Sequence, residues 1–207
     1  MENGLETVSK VKRPELSIGV FTGSRPGASP KYAQAAMEFS KELVKRGLGL
    51  VYGGGNVGLM NVVANTMLEH GGYVIGVIPD ALVSKEVAHT GLSELRVVHS
   101  MHERKALMAE LTAGFVALSG GIGTMEEFFE VLSWAQLGLH NKPCGLLNIG
   151  GYYDSLIEFL DHAVAEDFVK PKDRVLLIVE NQVVKLLDRF EATIGAPVAK
   201  KFDPSIT

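Results

Sequence analysis

Two glycine-rich segments and a pair of cations are the features of this chain best suited to binding a phosphorylated ligand. The segments are residues 53–58 and 120–124, where glycine lets the backbone approach a ligand and free N–H groups attract an anion. Arg104 and Lys105 add positive charge, and residues 22–25, Thr-Gly-Ser-Arg, follow the first predicted strand and add the hydroxyl of Ser24. Together these residues favour a ligand that carries a phosphate.

Each glycine segment also has a purely structural explanation, because tight strand-to-helix turns use glycine for its backbone geometry. For one isolated segment the two explanations have about equal weight. Two glycine segments, together with the cations Arg104 and Lys105, favour a role in binding a ligand.

Gly53, Gly55 and Gly58 also fit the G-x-G-x-x-G pattern of dinucleotide-binding proteins, with Asp80 at the distance expected of a ribose-binding acid. A nicotinamide site is therefore an alternative, although this turn follows the second predicted strand rather than the first.

Glu127 has one structural and one chemical interpretation. Residues 124–127 read T-M-E-E, and T-x-x-E is a helix capping box in which Glu127 would only bond to the first N–H of the helix. In the other, the carboxylate faces the ligand crevice at the carboxyl ends of the strands and takes part in the chemistry there. Arg104 would then act electrostatically, unless it is an ordinary exposed helix residue.

The order of apolar segments predicts the elements that position these residues. Seven short apolar runs alternate with segments of helical period, which indicates an α/β fold: a doubly wound, Rossmann-like parallel sheet with helices on both faces. We expect one nucleotide-binding domain over residues 15–195, between tails 1–14 and 196–207. Glycine segments then follow the carboxyl ends of strands, where such sheets bind ligands. The predicted strands are 16–21, 48–52, 73–78, 95–98, 115–118, 144–148 and 175–179, and the predicted helices begin at Pro30, near Leu59, at about Thr124 and at Tyr152.

Composition limits the class of protein. The chain has 207 residues, a hydrophobic fraction of 46% and a net charge of -4 without a basic stripe, so we expect one core and no polymeric nucleic acid partner. Cys144 is the single cysteine, and no apolar run approaches the roughly 20 residues of a membrane span. We therefore expect a cytoplasmic protein without a membrane partner. His99 and His102 lack a third ligand, so we expect neither a metal nor a cofactor.

The sequence from Ser119 to Glu127, S-G-G-I-G-T-M-E-E, resembles the P-G-G-x-G-T-x-x-E signature of the Lonely Guy family, the cytokinin riboside 5′-monophosphate phosphoribohydrolases. Residues 52–60, 101–105 and 134–138 are similar to further segments of that family. The resemblance implies a homodimer that cleaves adenine-type nucleoside 5′-monophosphates, either cytokinin riboside monophosphates or AMP, to base and ribose 5-phosphate. Ser119 departs from the signature, because proline there would fix φ.

The resemblance also implies residue roles. Arg104 and Glu127 match the family's catalytic pair, and Ser133 stands where many relatives carry threonine. Some relatives have an older label of lysine decarboxylase, but no residue pattern here suggests a pyridoxal phosphate site. A nucleotide-binding protein without turnover stays open as an alternative. With the glycine segments included, the predicted substrate-binding residues are Ser24, Gly54, Gly55, Glu86, Arg104, Lys105, Gly120, Gly121, Ile122, Gly123, Thr124, Met125, Glu126, Glu127 and Ser133.

Overall fold

The computed structural model describes residues 11–83 and 88–194. Glu86 and most of the two predicted tails lie outside these residues. All seven predicted strands are present, and each end lies within two residues of its predicted position. The strands are β1 (Ser17–Phe21), β2 (Gly49–Tyr52), β3 (Val74–Pro79), β4 (Glu94–Val98), β5 (Gly114–Ala117), β6 (Cys144–Leu147) and β7 (Leu177–Glu180).

These strands form one sheet in the order β4-β3-β2-β1-β5-β6-β7, and every neighbouring pair is parallel. The chain runs outward from β1 to β4 and then returns to β5 on the other side of β1. This reversal opens a crevice at the carboxyl ends of β1 and β5, which is where doubly wound sheets bind ligands.

Helices cover both faces of the sheet, as predicted. Alternate residues of a strand point to opposite faces, so Ile18 packs with Phe39 and Leu186 in one core, while Phe21 packs with Met108 and Phe128 in the other. Within the described ranges, no helix is long and apolar enough to cross a membrane. The helices are α1 (Pro30–Lys45), α2 (Gly58–Glu69), α3 (Asp80–Val83), α4 (Met101–Leu111), α5 (Ile122–Gln136), α6 (Asp154–Ala165), α7 (Pro171–Arg174) and α8 (Val183–Ile194), with a 3-10 turn at Ile149–Gly151.

Two helices begin elsewhere than predicted. Helix α5 begins at Ile122 instead of Thr124, because Gly121 takes the extended N-cap conformation and Thr124 is already a buried residue of the first turn. Helix α6 begins at Asp154 instead of Tyr152, because the preceding 3-10 turn continues through Gly151. The start of α5 at Ile122 decides whether Glu127 belongs to a helix capping box.

Candidate functional site

Two adjoining compartments open at the carboxyl ends of β1 and β5. The main compartment has a volume of about 260 Å³ and lies between the β1 turn, α4 and the start of α5. The side compartment, of about 480 Å³, lies across the same turns, beside Tyr32 and Tyr152. Both are lined by Gly23, Ser24, Gly121 and Ile122. The main compartment is lined in addition by Thr22, Met60, Leu82, Met101, Arg104, Gly123, Thr124, Glu126 and Glu127.

The start of α5 gives the main compartment an anion-binding wall. The first backbone bond of this helix runs from Met125 N to Gly121 O over 3.1 Å, so the N–H groups of residues 122–124 have no acceptor within the helix. The first turn contains no acidic residue to compete for them. The helix dipole adds to this attraction for a negative group.

Three turns are tied together around this wall. Ser119 O accepts hydrogen bonds from Gly23 N at 3.1 Å and from Thr22 Oγ1 at 3.2 Å, and Leu59 N donates to Gly23 O at 3.0 Å. Gly58 has a φ of 54°, and a Cβ there would overlap the backbone of Ser24. Both bonds to Ser119 use its carbonyl oxygen, which proline also has, so the departure from the family signature keeps these contacts.

The structure brings Arg104 and Glu127 together. Arg104 is only 4% exposed, and its Nη2 atom lies 3.5 Å from Glu127 Oε1. The same Nη2 lies 3.4 Å from Gly53 O, and a Cβ on Gly53 would overlap the guanidinium. Arg104 Nε is buried and has no acceptor among the described residues, which leaves a donor available to a ligand. Sequence reasoning missed Gly53, although it begins the glycine segment that we singled out.

Both structural interpretations of this pair are wrong. Arg104 is not an ordinary exposed helix residue, because it is buried beside β2. Glu127 is not the partner in a capping box, because α5 begins at Ile122 and Thr124 is its third residue instead of its N-cap. The carboxylate of Glu127 therefore belongs to the compartment, where its side chain is 13% exposed.

Lys105 holds α4 against α5. Its Nζ lies 2.7 Å from Glu126 Oε1 and 2.9 Å from Glu130 Oε2, and the side chain is 9% exposed. Burial alone would lower the pKa of Lys105, but the hydrogen bonds and charges of Glu126 and Glu130 raise it. Lys105 is not among the residues that line the two compartments. Its contacts instead place the neighbouring Arg104 opposite Glu127.

Other predicted positions lie away from the pair. Gly54 O accepts from His89 N at 2.9 Å, and Gly55 forms an isolated bridge to Ala88, so these two glycines contact backbone. Met125 packs into the core. Ser133 lines a separate groove of about 150 Å³ between α5, α6 and α7, where its hydroxyl donates to Phe129 O. Gly120 lines the side compartment, and Glu86 is not described.

The dinucleotide and lysine decarboxylase alternatives receive no support from the site. The carboxylate of Asp80 lies 3.7 Å from His99 Nδ1 and is absent from the lining of both compartments. No lysine lines either compartment within the part of the chain that is described. Over the same residues, no cluster of three or more His, Cys, Asp or Glu side chains could hold a metal ion.

Comparison with known structures supports the fold. The molybdenum cofactor carrier protein of Chlamydomonas reinhardtii superposes with a TM-score of 0.67 at 22% identity, over 89% of this chain and 100% of that one. A molybdenum cofactor binding protein of Rippkaea orientalis gives a TM-score of 0.65 at 20% identity, over 88% and 98%. At such identities the likeness concerns the fold alone.

Comparison of sequences identifies the family. A family model described as "Possible lysine decarboxylase" matches residues 60–190. The cytokinin riboside 5′-monophosphate phosphoribohydrolase of Rhodococcoides fascians is 53% identical over 84% of this chain and 88% of its own length. An enzyme of the same name from Arabidopsis thaliana is 46% identical over 90% and 85%. The chain therefore belongs to the family of the cytokinin riboside 5′-monophosphate phosphoribohydrolases.

Proposed function

We propose that this protein hydrolyses the N-glycosidic bond of adenine-type nucleoside 5′-monophosphates and releases the free base and ribose 5-phosphate. One observation carries the proposal: the Glu127 carboxylate lies 3.5 Å from the buried Arg104 guanidinium, in a compartment whose other wall is the start of α5. This arrangement offers an anion site and a carboxylate within one small volume. The names of the relatives support the same reaction.

The proposed mechanism assigns each group a task. The free N–H groups of residues 122–124, together with Ser24, hold the 5′-phosphate. Glu127 stabilises positive charge on the ribose and orients the water that attacks C1′, while the water's proton leaves with the departing base. The positive charge of Arg104 favours the ionised form of Glu127, and its free Nε–H can donate to the substrate.

The phosphate contact predicts a strong preference for monophosphates. A charge-assisted hydrogen bond contributes roughly 1.5–3 kcal/mol, so losing two should lower kcat/KM by about 10²- to 10⁴-fold. We expect this difference between AMP and adenosine, measured as base release by chromatography. A panel with prenylated adenine nucleotides in the same assay identifies the preferred base.

Two outcomes would contradict the proposal. Equal values of kcat/KM for AMP and adenosine would show that the protein does not bind the 5′-phosphate of its substrate. Binding of AMP without formation of ribose 5-phosphate over hours would instead indicate a nucleotide carrier that has lost turnover.

We also propose that the protein is a cytoplasmic homodimer. The family resemblance implies the dimer, and apolar side chains exposed around α5, α6 and α7 support it. Leu137, Phe159, Phe168 and Val175 are between 62% and 86% exposed, and a second copy of the chain would cover them. A reducing compartment suits the single cysteine, Cys144, which is buried.

A further inference from the structure

Two consecutive tyrosines after β6 hold the turn between β5 and α5. Tyr152 Oη donates to Gly120 O at 2.6 Å, and Tyr153 Oη donates to Leu118 O at 2.6 Å. Ser119 O, between these two carbonyls, accepts from Thr22 and Gly23. Three successive carbonyl oxygens of the turn therefore each have a donor from another part of the fold.

The bond from Tyr152 fixes the direction of one N–H group. Gly120 C=O and Gly121 N–H belong to the same trans peptide unit, so they point in opposite directions. Because the carbonyl points to Tyr152, the Gly121 N–H points away from it. Tyr152 lines the side compartment only, whereas Gly121 lines both. Because Gly121 also lines the main compartment, which Tyr152 does not, this orientation agrees with an N–H that faces the main compartment.

The Tyr152 side chain is held in place by its neighbours. Its ring packs edge-on against Tyr32 at 5.4 Å and against Tyr153 at 4.8 Å between centroids. The 3-10 turn before it is closed by Asn148, whose Oδ1 accepts from Tyr153 N at 2.8 Å and whose Nδ2 donates to Asp154 Oδ1 at 2.7 Å. These contacts orient the Tyr152 hydroxyl towards Gly120 O.

We propose that Tyr152 is a positioning residue for phosphate binding: it holds the Gly120–Gly121 peptide so that the Gly121 N–H faces the 5′-phosphate of the substrate. This inference rests on the proposed function. It adds a residue that no motif of the chain singles out and that acts from the side compartment. Tyr73 offers a matched control, because its hydroxyl donates to Glu94 Oε2 at 3.3 Å and neither residue lines the two compartments.

The test compares Y152F and Y73F with the wild type. Both variants keep the ring and lose one hydroxyl. For Y152F we expect the Kd of ribose 5-phosphate, measured by calorimetry, and the KM of AMP to rise about three- to tenfold. Its kcat should stay within about twofold of the wild type, because ground state and transition state share the phosphate contact. Hydrolysis of adenosine, which lacks the phosphate, should not change.

Y73F should keep the wild-type Kd for ribose 5-phosphate and the wild-type KM for AMP, because the hydrogen bond that it loses, to Glu94, lies outside both compartments. An unchanged Kd in Y152F, or the same rise in Y73F, would overturn the inference. If the wild type binds ribose 5-phosphate but releases no base, only the proposed function fails, and the Kd comparison still decides the role of Tyr152. Failure of the wild type to bind it would overturn both.

Discussion

At the scale of residues, the site depends on a glycine as much as on charged groups. Arg104 reaches Glu127 because its guanidinium packs against the backbone of Gly53, where any side chain would collide with it. Both charged residues could be predicted from the family motifs. Gly53 could not, because the sequence contains three successive glycines and only the path of the Arg104 side chain distinguishes the first of them.

Replacing Glu127 by glutamine tests the catalytic role directly. The amide keeps the shape of the side chain but removes the negative charge that stabilises the ribose cation. We expect kcat with AMP to fall by about 10²- to 10⁴-fold, a typical effect of removing a catalytic acid or base, as measured by base release.

The matched control is E69Q, which changes an exposed glutamate at the end of α2. This variant should keep wild-type kinetics. Turnover near wild type in E127Q would leave the carboxylate without a catalytic task.

At the scale of elements, hydrophobic period predicts helices only where the buried side is apolar. Helix α4 was not among the predicted helices, because its buried residues are Arg104, Lys105 and Met108. Its buried face thus consists mainly of the cations that build the site. Helix α8 was missed as well, although its buried residues Val183, Leu186, Leu187 and Phe190 follow the helical period. The displaced start of α5 has a different cause, because Gly121 can take the N-cap place that the T-x-x-E pattern gives to Thr124.

His89 and His140 lie in connections between helices and strands. Their surroundings predict that the free energy of unfolding falls as the pH is lowered. His140 Nε2 lies 2.9 Å from Val131 O, and its Nδ1 accepts from Lys142 N, so the bonded form is the neutral ring. His89 is bound similarly, between Asn65 and Gly91. Burial lowers the pKa of both below the ordinary value of 6.5. The unfolded chain therefore binds protons first as the pH falls, which favours unfolding.

We expect the Tm to be constant above the ordinary histidine pKa of about 6.5 and to decline below it. Thermal unfolding followed by circular dichroism from pH 8 to pH 5 measures this. The double variant H89N/H140N should show a shallower decline than the wild type, whereas H162N, on the surface of α6, should not differ from it. Equal slopes in all three proteins would rule out this origin of the acid sensitivity.

At the scale of the whole molecule, the strands and their two-sided helical cover could be predicted because five of the seven strands are fully buried. Strands β1, β2, β3, β5 and β6 are buried at every position, and such strands appear in sequence as continuous apolar runs. The order of the strands in the sheet could not be predicted, because it depends on contacts between residues far apart in sequence and no local pattern encodes it.

The proposed dimer gives a prediction at this scale. The wild type should have twice the 22.3 kDa mass of the chain by light scattering. Replacing Phe159, which is 62% exposed on α6, by glutamate should shift the protein towards the monomer, because a charge would have to be buried in the interface.

V184E is the control, since Val184 is 45% exposed on α8, on the opposite face of the sheet. This variant should keep the mass of the wild type. A wild type with the mass of one chain, or an F159E protein that stays dimeric, would argue against an interface at α6.

The way Ser119 is held has a consequence for tracing relatives of this protein. The fold uses only the carbonyl oxygen of this residue to join the β1 and β5 turns, and every amino acid has that oxygen. Evolution can therefore exchange the side chain here without dismantling the turn. A search motif that requires proline at this position would therefore miss relatives with an intact site. A motif based on the spacing of Gly120, Gly121, Gly123 and Thr124 would find them.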